Sequence, residues 1–168
     1  MKEIELTQGQ VAIVDDDDYE YLSQWKWYAN YDKKNKSYYA KRSIKNGSVR
    51  MHRVIAKVSE DFEVDHINHN TLDNRKENLR HATHAQNVMN RRMPKGKNTY
   101  KGVSKEHKKY RSMIRFEGKY IHIGMFSDII EAAKAYDSAA IKYFGEFASL
   151  NFPVENQELG ANLERMSH

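Results

Sequence analysis

The stretch VDHINHNTLDNRKENLRHATHAQNVMN, Val64 to Asn90, holds four of the chain's eight histidines and six asparagines, in a protein without a single cysteine. Zero cysteines exclude disulfides and thiolate zinc sites, so a metal held here would be held by oxygen or imidazole. Asp65 and His66 follow the short apolar run FEV, Asn78 opens an Asn-Leu-Arg triplet, and Asn87 falls on a helix begun by Thr83 with Gln86 as its capping partner. A carboxylate and an amide oxygen form a hard-cation pair that suits Mg²⁺ or Mn²⁺ better than zinc. Two protein ligands leave the other octahedral positions to water and phosphate, as the hydrolysis of a phosphodiester requires. His66, an imidazole titrating near neutrality, is placed to take a proton from the attacking water. Neighbours on an ideal strand face opposite ways, so Asp65 and His66 serve one site only where the strand ends or bulges, and the turn-rich HNTLDN supplies such an end. Asn68, Asn70 and Asn74 read as turn residues, and His69, His81 and His84 as surface groups or phosphate contacts, with an all-histidine zinc site left as the alternative.

Taken together, DH, NLR and the helical Asn of DHINHNTLDNRKENLRHATHAQN resemble the HNH nuclease motif over about residues 50 to 91. The likeness is greatest to the subclass found in phage and group I intron homing endonucleases. It implies a ββα fold wrapped round one divalent metal, Mg²⁺ (or Mn²⁺), with Asp65 and Asn87 as metal ligands. His66 would be the general base and Asn78 the residue that orients that histidine or its loop. The preceding MHRVIA resembles the lead-in segment of such enzymes, and His52 within it is assigned no chemical role.

The 168 residues suffice for one ordinary domain or two small ones. With 39% hydrophobic and 30% charged residues, the composition is that of a soluble chain rather than a disordered or membrane one. No apolar run reaches the roughly 18 residues of a bilayer span, and MKEIELTQGQ lacks the apolar centre of a signal peptide. The expected location is therefore intracellular, in the cytoplasm of a phage- or prokaryote-like host cell, with no membrane partner and a monomer favoured over an obligate oligomer. Net charge is +5, divided as +1 over residues 1–50, 0 over 51–91, +8 over 92–126 and −4 over 127–168. The concentration of positive charge in one short segment is the footprint expected where phosphates are met, a solvated lysine-rich face being the alternative.

Residues 1–50 read as short strands around one helical turn. QVAIV, WKWYANY and SYYAKRSI are strand candidates, Asn46-Gly47 marks a hairpin turn, and HRVIAKV reads as a short helix. The run Asp15 to Asp18 suits the N-terminus of the helix DYEYLSQ better than it suits a metal site. MPKGKN, Met93 to Asn98, marks a linker. Beyond it, Tyr110, Ser112, Ile114 and Phe116 alternate with Arg111, Met113 and Arg115, while Ile121, Ile123 and Met125 alternate with Tyr120, His122 and Gly124. Glu117-Gly118 turns between these strands, TYKGVSK supplies a first, and SDIIEAAKAYDSAAIKYFG follows as a helix. Asp128 and Glu131 form its capping box, Gly145 its stop, and Ala132, Ala133, Ala135, Ala139 and Ala140 a face for close approach to the sheet.

From Tyr100 to Pro153, YKGV, the IR of MIRF, IGMF, EAAKAYDSAA and LNFP resemble the AP-two/ERF DNA-binding domain of plant transcription factors, a domain also found joined to HNH nucleases. The resemblance implies a three-stranded sheet laid in the major groove, with contacts from Lys101, Ser104, Lys105, Met113, Arg115, Tyr120 and His122. Arg111 joins them on the alternation alone. Plant members carry more arginine and tryptophan on this face, so their base preferences do not transfer. Lys101, Lys105, Lys108 and Lys109 suit phosphate contacts, which position without specifying.

The expected fold class is α+β: a β-rich N-terminal region with the ββα-metal core (1–92), a linker (93–98), a three-stranded antiparallel sheet packed on one helix (99–153) and a tail (154–168). The expected activity is that of a site-specific, homing-type endonuclease on double-stranded DNA, giving 5′-phosphate and 3′-hydroxyl ends. A non-catalytic sequence-specific DNA-binding regulator is the rival reading. RNA processing fits less well, because the sheet face has few aromatics on which unpaired bases stack.

Overall fold

The computed structural model describes residues 1–59, 61–91 and 100–153. The expected linker at 93–98 and tail at 154–168 lie outside the described residues. The chain divides into two compact units, Met1–Val88 and Met89–His168.

In the first unit, β1 (Lys2–Glu5) pairs antiparallel with β2 (Val11–Val14), and α1 (Asp16–Leu22) follows. An antiparallel sheet of β3 (Tyr28–Asp32), β4 (Ser37–Ile44) and β5 (Gly47–Arg50) then leads into α2 (Met51–Ala56). Next come β6 (Glu63–His66), its antiparallel partner β7 (Leu79–Ala82), and α3 (His84–Met89). The alternate residues Ala12 and Val14 of β2 turn inward onto Ile4, Leu22, Trp27, Ala40 and Met51. Each large side chain so buried contributes about 1.5–3 kcal/mol. The Trp27 indole N–H also needs a partner in this core, and it donates to the Leu22 carbonyl at 2.8 Å.

In the second unit, β8 (Val103–Glu106), β9 (Lys109–Phe116) and β10 (Lys119–Phe126) form an antiparallel sheet with β9 central, and α4 (Ile129–Phe144) packs on one face. Ile114, Tyr136 and Ala140 are the buried centre. The Asp128 carboxylate accepts from the N–H groups of Ile130 and Glu131 at 2.6 and 3.0 Å, which fixes where α4 begins. Asp137 anchors the closing segment by accepting from the Asn151 and Phe152 N–H groups at 2.8 and 2.9 Å.

Several boundaries differ from those expected. Of the run WKWYANY only Tyr28 onward is strand; Trp25 and Trp27 precede it, Trp27 in the core. Helix α1 starts at Asp16, two residues early, and Asp15 makes no side-chain cap. Instead the Asp15 carboxylate accepts from the Lys76 N–H at 2.8 Å and Asp18 pairs with the Lys76 ammonium at 2.9 Å, so these acids tie α1 to the segment before β7. Met125 does not share the apolar face with Ile121 and Ile123. A bulge between His122 and Gly124 shifts the register, making Met125 the partner of Arg111 and leaving it 41% exposed.

Candidate active site and nucleic-acid interface

The loop joining β6 to β7 is held at several points before any site residue is considered. Ile13 of β2 donates to the Leu72 carbonyl and accepts from the Asn74 N–H, both at 2.8 Å, and the Thr71 hydroxyl donates to the Tyr38 carbonyl at 2.5 Å. Asn78 clamps it from inside. Its amide oxygen accepts from the Asn68 N–H at 2.9 Å, and its amide nitrogen donates to the Asp73 carbonyl at 2.8 Å. A buried amide bridging two loop residues in this way fixes the chain that leaves His66.

Asp65 and His66 end β6 on opposite faces, as strand alternation requires. The Asp65 carboxylate meets Arg80, its cross-strand partner, whose Nε and terminal nitrogen lie 2.9 and 2.7 Å from Oδ2. Both side chains are largely buried, so the pair balances charge that neither residue could carry there alone. His66 packs its ring against His52, with centroids 5.0 Å apart, and against Tyr39. Asn74 donates from Nδ2 to the Leu72 carbonyl at 3.0 Å, which turns its Oδ1 to His66 Nε2, 3.5 Å away. An acceptor there favours the tautomer with the imidazole proton on Nε2, which makes Nδ1 the basic nitrogen. Burial pushes His66 below its ordinary range, opposed by the Asn74 hydrogen bond and the charges of Asp65 and Asp73.

Asn87 lies on α3, which opens with the reciprocal cap expected of Thr83 and Gln86: the Thr83 N–H donates to Gln86 Oε1 at 2.8 Å, and the Gln86 N–H to Thr83 Oγ1 at 3.3 Å. The Asn87 amide nitrogen donates to Glu63 Oε2, and Glu63 stands two residues before Asp65, on the same face of β6. Glu63 thus brings both expected ligands to one side of the strand. His84 is engaged by Glu63 at 2.8 Å and His81 by the Ala56 carbonyl at 3.2 Å. Among the described residues no group of three or more His, Asp or Glu side chains is arranged to hold a metal ion. Oxygen donors suit a hard divalent cation better than imidazoles do; of the two expected ligands, the Asp65 carboxylate is engaged by Arg80 through Oδ2 and the Asn87 amide nitrogen by Glu63.

On the free face of the second sheet, register pairs Ser104 with Arg111, Met113 with His122 and Arg115 with Tyr120, bringing six of the eight expected DNA-contacting residues together. Arg115 lies over the Tyr120 ring, 5.6 Å from its centroid, and Arg111 lies 3.3 Å from Glu106. Two residues sit elsewhere. Lys105 pairs with Tyr110, which puts it on the opposite face from Ser104. The Lys101 ammonium donates to the carbonyls of Met89 and Arg91 at 2.6 and 2.8 Å, and burial lowers its pKa to about 8.

Residues 49–89, which contain all four of Asp65, His66, Asn78 and Asn87, match the model of an HNH endonuclease family. An uncharacterized HNH endonuclease of Acanthamoeba polyphaga mimivirus is 33% identical over 150 residues, covering 86% of this chain and 76% of that relative. The chain belongs to the HNH endonuclease family. It is therefore a nuclease acting on DNA. Shorter likenesses run to plant proteins. An AP2-like ethylene-responsive transcription factor of Arabidopsis thaliana is 40% identical over 52 residues, and a second ethylene-responsive factor 39% over 66. The chain spans only 9% and 15% of the length of these two relatives.

Four side chains around this HNH site carried no assignment in the sequence reading: Glu63, Arg80, His52 and, beyond its turn, Asn74. Strand pairing could have exposed Arg80, since Leu79-Arg80-His81 faces the Val64-Asp65-His66 run. Nothing local marks His52, fourteen residues from the histidine it touches.

Proposed function

We propose that this HNH protein is a site-specific DNA endonuclease of the homing type, built on a ββα-metal core of β6, β7 and α3. Asp65 and Asn87 would hold one divalent ion, Mg²⁺ (or Mn²⁺). The observation that carries the reading is the Glu63 carboxylate holding the Asn87 amide nitrogen, since Glu63 lies on the side of β6 that bears Asp65. When bound, such an ion supplies charge stabilisation at the scissile phosphate. His66 Nδ1 takes the proton from the attacking water, with Nε2–H fixed on Asn74, and Asn78 keeps the following loop in place. Water attack forms the new P–O bond as the P–O3′ bond breaks, and the 3′ oxygen takes up a proton, giving a 5′-phosphate and a 3′-hydroxyl.

Two domains serve this function in the proposed division, residues 1–92 for cutting and 99–153 for holding the target. The free face of β8–β10 supports the second role. Arg111 and Arg115 are its strongest groups, since a guanidinium fork reads guanine or grips phosphate.

Cleavage of supercoiled plasmid carrying a selected target, with Mg²⁺ and with EDTA, tests the reading. Wild type should convert the plasmid to nicked or linear product only with the metal, and His66→Ala and Asn87→Ala should lose at least about 100-fold in rate while still retarding the same DNA. Undiminished cutting by either variant would remove that residue from the chemistry. Retardation without cutting by wild type would return the chain to the DNA-binding regulator.

A further inference from the structure

We infer that the β3–β4–β5 sheet of the first unit is a second duplex-DNA surface, gripping phosphates beside the nuclease site. The inference rests on the nuclease reading for the place of His66, and on observations of its own for the charge.

The first 50 residues look nearly neutral only because their acids and bases are segregated. Residues 26–50 carry eight basic side chains against one acid, Asp32, whereas seven of the eight acids of residues 1–50 precede residue 21. The net charge of +7 on these 25 residues rivals the +8 of residues 92–126. Asp32 offsets one of the eight bases, Arg50, and among the described residues no other. Its Oδ1 accepts from the Lys34 and Asn35 N–H groups at 2.9 and 3.2 Å, shaping the β3–β4 hairpin tip, and its Oδ2 lies 3.6 Å from Arg50. The tip therefore presents Lys33, Lys34 and Lys36 to solvent from a shaped turn.

Register gives part of the charge a direction, Arg42 turning the other way onto Trp25 and Trp27. Tyr28, Lys41 and Arg50 are successive cross-strand partners and form one row across the three strands. The Arg50 guanidinium lies over the Tyr39 ring, 4.5 Å from its centroid, and Tyr39 packs on His66 with centroids 6.4 Å apart. Arg50 also bears electrostatically on His66. The basic row thus reaches His66 through Tyr39, and on the nuclease reading the phosphate to be cut sits beside that histidine. Phosphates spaced along a duplex on either side of that position would meet Lys41 and the hairpin lysines. A merely solvated face has no reason to converge on the histidine.

Counterion release supplies a measurement that a structural role would not move, because each phosphate neutralised on B-DNA adds about 0.9 to the slope of log affinity against log salt. Binding of the full-length protein to a 30-base-pair duplex of random sequence would be followed by fluorescence anisotropy across a salt series. Three proteins are compared: wild type, Lys33→Ala/Lys34→Ala/Lys36→Ala and Arg111→Ala/Arg115→Ala. The three lysines are exposed, so a matching thermal melt verifies folding. The lysine triple should lose about 2 to 3 units of slope and about 10-fold or more in affinity at moderate salt. If the arginine variant loses slope and the lysine triple keeps the wild-type value, the second surface is refuted and the first stands. If only the lysine triple loses slope, the inference holds and the assignment to β8–β10 fails. Wild type with no salt-dependent binding would overturn both.

Discussion

His52 shows how much a single buried side chain contributes that no motif displays. It is 5% exposed, and burial, with the charges of His66, Arg50 and Arg53, pushes it well below the ordinary 6.5. The folded protein refuses a proton that the unfolded chain accepts. Stability conferred by the neutral ring is therefore complete above about pH 6.5 and is lost as the pH falls below it, until the folded-state value is reached. Urea unfolding at pH 7.5 and pH 5.0 should show wild type losing more stability between the two than His52→Gln, and equal losses would dissociate His52 from the acid response. At this scale position was legible where the local pattern fixes it, as for Asn87 on the helix opened by Thr83 and for Asp65 and His66 at the end of their strand. Glu63, Arg80 and His52 escaped because their roles come from partners on other elements, and a carboxylate or imidazole does not name its partner.

Among the elements, local signals predicted most where they are self-contained. The reciprocal Thr83–Gln86 cap stands as read, and of the box expected at Asp128 and Glu131 the Asp128 half is present, because a capping residue and its N–H targets lie within one turn of chain. The bulge in β10 was invisible, since an extra residue in one strand shows only against its partner, and it moved Met125 to the arginine face. The entry to β8 illustrates the same dependence. Gly102 has φ +75°, and a Cβ there would fall 1.9 Å from a Tyr136 ring carbon and 2.6 Å from the Met113 carbonyl oxygen. Tyr136 is part of the buried centre under the sheet and has little room to retreat. Gly102→Ala should destabilise the second unit by about 2–4 kcal/mol, combining overpacking with a left-handed backbone. Thermal unfolding followed by near-ultraviolet circular dichroism measures this, and a loss below about 0.5 kcal/mol would mean that β8 shifts freely.

At the scale of the whole chain, composition located one basic surface and averaged away another. Dividing at residue 50 merged the acids of α1 with the lysines of β3–β5, and only the observed strand boundaries separate them. The residues that match the HNH family model, 49–89, also omit β1 and β2, although β2 bonds directly to the loop after His66. A fragment of residues 49–91 should therefore show no cooperative unfolding and no metal-dependent cutting. Residues 1–91 should retain both, with poor discrimination between sites. Circular dichroism and plasmid cleavage on the two fragments decide this, and an active 49–91 fragment would show the strands before it to be dispensable.

The clasp between Ile13 and the Leu72–Asn74 loop also bears on how such a protein can be inherited or rebuilt. Recombination that moved the recognisable motif by itself would leave behind the strand that pins its loop, and the transplanted piece would arrive inert. On the proposed division, a cutting cassette must include β1 and β2, whereas a crossover after α3 exchanges only the second unit. Libraries that seek new target preferences should place their junctions there.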